Sequence, residues 1–140
     1  MGAPLDIRGE ALNMLHRYQE AERDFRDAVR RLSGLYGDDH AWTAYALNDL
    51  GQVLVNEERP REAIPPLEKA LRVRERLERS PDDTAETRFA LARALWAAGQ
   101  DQGRALTLAQ AARDGYHSTP GHERQVAAIE AWRQGKADLE

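Results

Sequence analysis

Arg59-Pro60-Arg61-Glu62-Ala63-Ile64-Pro65-Pro66-Leu67-Glu68-Lys69-Ala70-Leu71 carries the pattern on which the fold turns. Ala63, Leu67 and Ala70 are spaced by four and then three residues, so on a helix they form one stripe. The stripe recurs in both directions along the chain. Ala21, Ala63 and Ala105 lie 42 residues apart, as do Ala28, Ala70 and Ala112, with Phe25, Leu67 and Ala109 between them. Gly9 pairs with Gly51 at the same spacing. Small side chains at fixed places let a neighbouring helix come close, and a fixed period of this length marks stacked units that complete one another's cores.

Each unit reads as two helices. The first pair is expected over residues 4–15 and 18–35 with His16-Arg17 at the turn, and the second over 41–56 and 61–77, turning at 57–60. The third is expected over 83–98 and 102–115, turning around Gly99. A last amphipathic segment, 120–134, carries Val126, Ile129 and Trp132 on one face. The chain is thus expected to be one domain, 1–140, with repeats at 4–36, 40–79 and 83–115 and a capping helix over 120–135. Gly37-Asp38-Asp39 and Ser80-Pro81-Asp82-Asp83 offer turn and N-cap chemistry between units. Pro60 and Pro120 fall near helix starts, where a missing N–H costs little. Pro65-Pro66 lies deeper and predicts a late start or a bend in the fourth helix.

Composition removes several classes of function. Of 140 residues, 41% are hydrophobic and 31% charged. Charges interrupt every apolar stretch, whereas a membrane span needs about 20 nearly uncharged positions. The N-terminus has neither a basic nor an apolar signal region, and position 6 is Asp, against myristoylation. With no cysteine, disulfides, thiolate metal sites and cysteine nucleophiles are excluded. The net charge of −4 provides no general attraction to nucleic acid. A cytoplasmic location is the expectation.

No catalytic, cofactor or metal site is expected. His16, His40, His117 and His122 fall at turns and links, and His117, His122 and Glu123 lack metalloprotease spacing. Asp38-Asp39 and Asp82-Asp83 lack the alternation of a calcium loop and read as caps. Trp42, Trp96 and Trp132 would suit base stacking only beside a basic groove, yet Arg is interleaved with Glu throughout. Glu75 and Glu78 break the run of Arg72, Arg74, Arg76 and Arg79, which reads as a solvated helix face.

Leu47-Asn48-Asp49-Leu50-Gly51, followed by the segment from Arg59 to Leu71, resembles a tetratricopeptide repeat (TPR), and so does Tyr18-Gln19-Glu20-Ala21. The period and the Gly37-Asp38-Asp39-His40 link resemble the kinesin-light-chain subtype. Ala85-Glu86-Thr87-Arg88-Phe89-Ala90-Leu91-Ala92-Arg93-Ala94-Leu95-Trp96, with Arg104-Ala105-Leu106 and Ile129-Glu130-Ala131-Trp132, resembles the C-terminal TPR region of myxobacterial serine/threonine protein kinases. The resemblance implies an all-α, right-handed TPR solenoid of three helix-turn-helix repeats plus a C-terminal capping helix. It implies a scaffold or adaptor that binds a protein or peptide, or the regulatory region of a bacterial kinase whose catalytic motifs lie outside this sequence. Self-association into a homodimer is the alternative. Two departures stand out. Arg8 takes a normally apolar place, and one residue inserted between Gly99 and Arg104 moves Ala92 into the small-residue position. The first helix also starts near the terminus without a polar cap, so the chain is expected to be a fragment with further repeats upstream.

In such arrays the first helix of each pair lines a concave, partner-binding face. The resemblance maps that face to Asp6, Glu10 and Asn13, then to Tyr45, Asn48, Asp49, Gln52 and Asn56, then to Glu86, Phe89, Arg93 and Trp96. Amides there can clasp a partner's backbone and aromatics can anchor apolar groups. Asp6, Glu10, Asp49 and Glu86 oppose a grip on a C-terminal carboxylate and favour a basic or neutral partner over an acidic one.

Overall fold

Helices separated by short links account for nearly all of the backbone. The computed structural model describes residues 7–77 and 80–137, with side chains over 14–77 and 80–136. The order is α1 (Ile7–Tyr36), α2 (Ala41–Asn56), α3 (Pro60–Leu77), α4 (Pro81–Ala97), α5 (Gln102–His117) and α6 (Glu123–Ala137). Among the described residues there is no strand, and no helix is long and apolar enough to cross a membrane.

Local chemistry sets the boundaries. Gly37, at φ +86°, stops α1, and its N–H donates to the Ser33 carbonyl at 2.9 Å. A left-handed backbone of this kind suits a residue without Cβ. The cap of α2 is His40 rather than the neighbouring aspartates: its Nδ1 accepts from the Trp42 N–H at 3.0 Å, while Asp38 accepts from the Ser33 hydroxyl. Pro60 and Pro81 open α3 and α4, where the first N–H groups have no helical partner. Asp82 and Asp83 place negative charge in the first turn of α4, at the positive end of its dipole. Asp101 caps α5, accepting from the Arg104 N–H at 3.2 Å.

Each helix packs on its sequential neighbours, and α2 also touches α4. Contact between the first helices of successive pairs makes this an array of layers rather than a closed bundle. The repeated stripe is its core. Ala63, Leu67, Ala70, Ala105, Ala109 and Ala112 are all fully buried, and burying one leucine of Leu67's kind contributes about 2 kcal/mol. Gly51 shows why small residues recur, because a methyl group there would land on Leu67 Cγ. In the next unit the same places hold Ala92 and Ala109, both fully buried, so glycine opposite leucine becomes alanine opposite alanine. The expected shift of Ala92 into the small-residue position agrees with this packing.

Three local expectations are corrected. The first unit is not a helical hairpin, because α1 runs unbroken through His16-Arg17. Both residues are compatible with a helix, and neither is a proline or glycine that would break one. Of the two outcomes expected for Pro65-Pro66, the late start is the one corrected, because α3 starts at Pro60 and contains both. Pro65 is exposed, so the Arg61 carbonyl, which loses its intrahelical donor, lies near water. The last helix begins at Glu123, beyond Pro120 and beyond Gly121 with its φ of +90°.

Candidate functional site: the face of α2 and α4

The resemblance implies that α2 and α4 present one row of side chains each to a shared face. The structure divides those residues by role. Asn48 is fully buried and forms part of a closed polar ring. Its Nδ2 donates to Glu86 Oε1 at 2.7 Å, and its Oδ1 accepts from the Thr87 hydroxyl at 2.8 Å. Thr87 in turn accepts from an Arg74 guanidinium N–H at 2.8 Å. That nitrogen also donates to the Asp83 carbonyl at 2.9 Å and lies 3.6 Å from Glu86 Oε1. The ring ties α2, α3 and α4 together, and satisfied buried networks of this kind fix one arrangement of their helices. The expectation that Asn48 clasps a partner's backbone is therefore corrected, since its amide is spent inside the fold.

Asp49, Gln52 and Glu86 remain half-buried, with Tyr45 (58% exposed) and Asn56 open to solvent. Burial pushes the Asp49 carboxyl above its ordinary value, and the charge of Glu86 adds to the shift. Arg74, beneath the face, offsets only part of this and also packs under the Tyr45 ring, 5.6 Å from its centroid. The face thus carries two carboxylates that repel each other beside an exposed aromatic ring.

The far end of the face is covered. Trp132 of α6 packs edge-on against Phe89 and Trp96, with centroids 5.7 and 5.9 Å apart. Lys136 Nζ lies over Trp96 and Trp132 at 5.8 and 5.4 Å. Arg93 sits 5.8 Å from the centre of the Phe89 ring, and burial alone lowers its pKa. Phe89 and Trp96 are therefore largely engaged by α6 and offer less anchoring surface than expected. Asp6 and the side chains of Glu10 and Asn13 lie outside the described residues.

Residues beyond the expected set also shape this region. Trp42 is 57% exposed and, with Tyr45, Ala46 and Asp49 of α2 and Phe25, Ala28 and Leu32 of α1, lines a mostly apolar pocket of about 320 Å³. Its position could have been read from the register, because its third-unit counterpart, Asp83, is a polar surface residue. Among the described residues no three His, Asp or Glu side chains converge on a possible metal position. His122 instead shares a hydrogen bond with the Thr119 hydroxyl (2.9 Å) and packs on Tyr116.

Successive helix pairs, small residues at their crossings and contact between alternate helices define a helical-repeat protein. The tetratricopeptide-repeat family model matches residues 3–76, more than half of the chain, and the chain belongs to that family. No curated protein matches it. Tetratricopeptide repeats generally mediate protein–protein interaction, and their all-α fold is typically non-catalytic.

Proposed function

We propose that this chain is a scaffold or adaptor module that holds a basic or neutral peptide segment of another protein across α2 and α4. The residues assigned to the contact are Tyr45, Asp49, Gln52, Asn56, Glu86 and Arg93. One observation carries the reading: α2 and α4 set two half-buried carboxylates, Asp49 and Glu86, on one face with the exposed Tyr45 ring, and burial together with the Glu86 charge pushes the Asp49 carboxyl upward. A lysine or arginine docked there would relieve both carboxylates, and Tyr45 beside them offers a ring for its aliphatic stem or its cation. Such binding weakens as salt screens the charges.

The test is a selection of displayed random peptides on the immobilised chain. The wild type enriches sequences bearing Lys or Arg, while Asp49→Asn combined with Gln52→Ala loses that enrichment. Asp49→Asn removes an unfavourable buried charge, so unfolding would not explain the loss. Enrichment of acidic peptides, or equal enrichment by the variant, would reject the assigned face.

A finer reading makes the module the regulatory region of a bacterial serine/threonine kinase in the cytoplasm. It rests on the third-unit resemblance alone. Kinase motifs in the adjoining coding sequence would support it, and an uninterrupted coding sequence without them would remove it.

A further inference from the structure

The apolar pocket between α1 and α2 has a complement within this same sequence. In the second unit, the counterparts of its Phe25 and Ala28 are Leu67 and Ala70, and both are fully buried. Gly51 covers Leu67, and Leu47 shares a cluster with Ala70. The residues 42 positions before Gly51 and Leu47 are Gly9 and Leu5. Residues 5–15 thus carry the pattern that would cover Phe25 and Ala28, and the family match includes them.

α1 is continuous from Ile7, which keeps residues 7–15 from the pocket of their own chain. The second and third pairs turn through the same three hydrogen bonds. Glu57, Glu58 and Arg59 donate to the carbonyls of Val53, Val55 and Leu54, and Ala98, Gly99 and Gln100 donate to those of Ala94, Trp96 and Leu95. Glu58 and Gly99 hold the left-handed place, at φ +60° and +67°. Their counterpart in the first unit is His16, which stays helical, its Nε2 2.9 Å from Glu20 Oε1 one turn on. At the helical rise, residue 9 lies roughly 24 Å along the axis from Phe25. Met14 and Leu15 are left 54% and 41% exposed, while Trp42 stays open on the pocket.

We infer that two copies of this chain exchange residues 5–15, each laying its segment into the α1–α2 pocket of the other. The exchange is reciprocal, so it closes with two-fold symmetry and stops at a dimer. It uses the contact that the second unit makes internally, transferred between chains because the hinge at His16 is straight. Tyr45 and Asp49 line this pocket as well as the proposed partner face, so a seated segment would compete with a partner there. The measurements below read only mass and cross-links and so test the exchange by itself.

Light scattering over a dilution series should give twice the 15.8 kDa chain mass at high concentration. The chain has no cysteine, so introduced ones report cleanly. Leu5→Cys chains mixed with Ala28→Cys chains should form a disulfide-linked heterodimer on mild oxidation. The double variant should link between chains as well. His16→Gly, which frees the left-handed conformation found at Glu58 and Gly99, should shift the population to monomer and convert the link to one within a chain. A wild type that is monomeric throughout, a double variant linked only within its own chain, or a dimer without the 5–28 link would each overturn the exchange. A His16→Gly protein that stays as dimeric as the wild type would overturn the hinge on which it depends.

Discussion

Asn48 and Glu86 are joined across the seam between α2 and α4, Nδ2 to Oε1 at 2.7 Å, and the bond is made from a fully buried amide to a half-buried carboxylate. The Thr87 hydroxyl holds the other end of the same amide. The seam that shapes the candidate face is therefore polar at its centre, and its geometry depends on every member being paired. Asn48→Ala leaves Glu86 and Thr87 each short of a partner and should cost about 2 kcal/mol. Urea denaturation followed by circular dichroism checks this, and an unchanged midpoint would contradict the ring.

Gly51 stands where any side chain would meet Leu67. Gly51→Ala should destabilise by about 1–3 kcal/mol through overpacking. Leu67→Ala alone should cost about 2–5 kcal/mol as a cavity. Combined, the two changes should cost less than their sum, because the third unit already pairs Ala92 with Ala109 at these places. A double-mutant cycle in denaturant measures that coupling.

The folded-state pKa of Asp49 is raised, first by burial and then by Glu86. For a raised carboxyl, the favourable contribution is fully present below the unfolded value of about 3.9 and is lost as pH rises through the folded value. At neutral pH the ionised group therefore opposes folding. Asp49→Asn should raise the denaturation midpoint at pH 7, and the gain should shrink to nothing as pH falls below the ordinary carboxylate range. A gain that persisted unchanged at acid pH would rule out the charge as its source.

Trp132 is the side chain through which α6 covers Phe89 and Trp96. Trp132→Ala should cost about 2–4 kcal/mol, somewhat less than a fully buried aromatic because Trp132 is itself half-exposed. It should also shift the emission of Trp96 to longer wavelength as water reaches the ring. Fluorescence of the variant against the wild type decides it.

The stacked helix pairs were legible because their signal is a repeated volume constraint. Ala63, Leu67 and Ala70 recur wherever one helix must cross another closely, and Gly51 recurs for the same reason. The helical state of His16-Arg17 was hidden because a helical turn and a tight link can share the same residues, and only the surrounding packing chooses between them. Asn48 was placed on the correct helix, yet its burial depends on Thr87 and Arg74, which lie 39 and 26 residues away. Periodicity shows which way a side chain points and not how far its neighbours rise around it. Phe89 and Trp96 were likewise assigned to the face, and their partial loss to α6 follows from the docking of Trp132, which no spacing within α4 encodes.

The assigned face is tested most directly by titrating a Lys- or Arg-bearing peptide, obtained from the display selection, into the isotopically labelled chain and following amide chemical shifts. Shifts concentrated at Tyr45, Asp49, Gln52, Asn56, Glu86 and Arg93 are the predicted result. Shifts centred instead on Lys69, Arg72 and Arg76 of α3, with α2 and α4 silent, would contradict it.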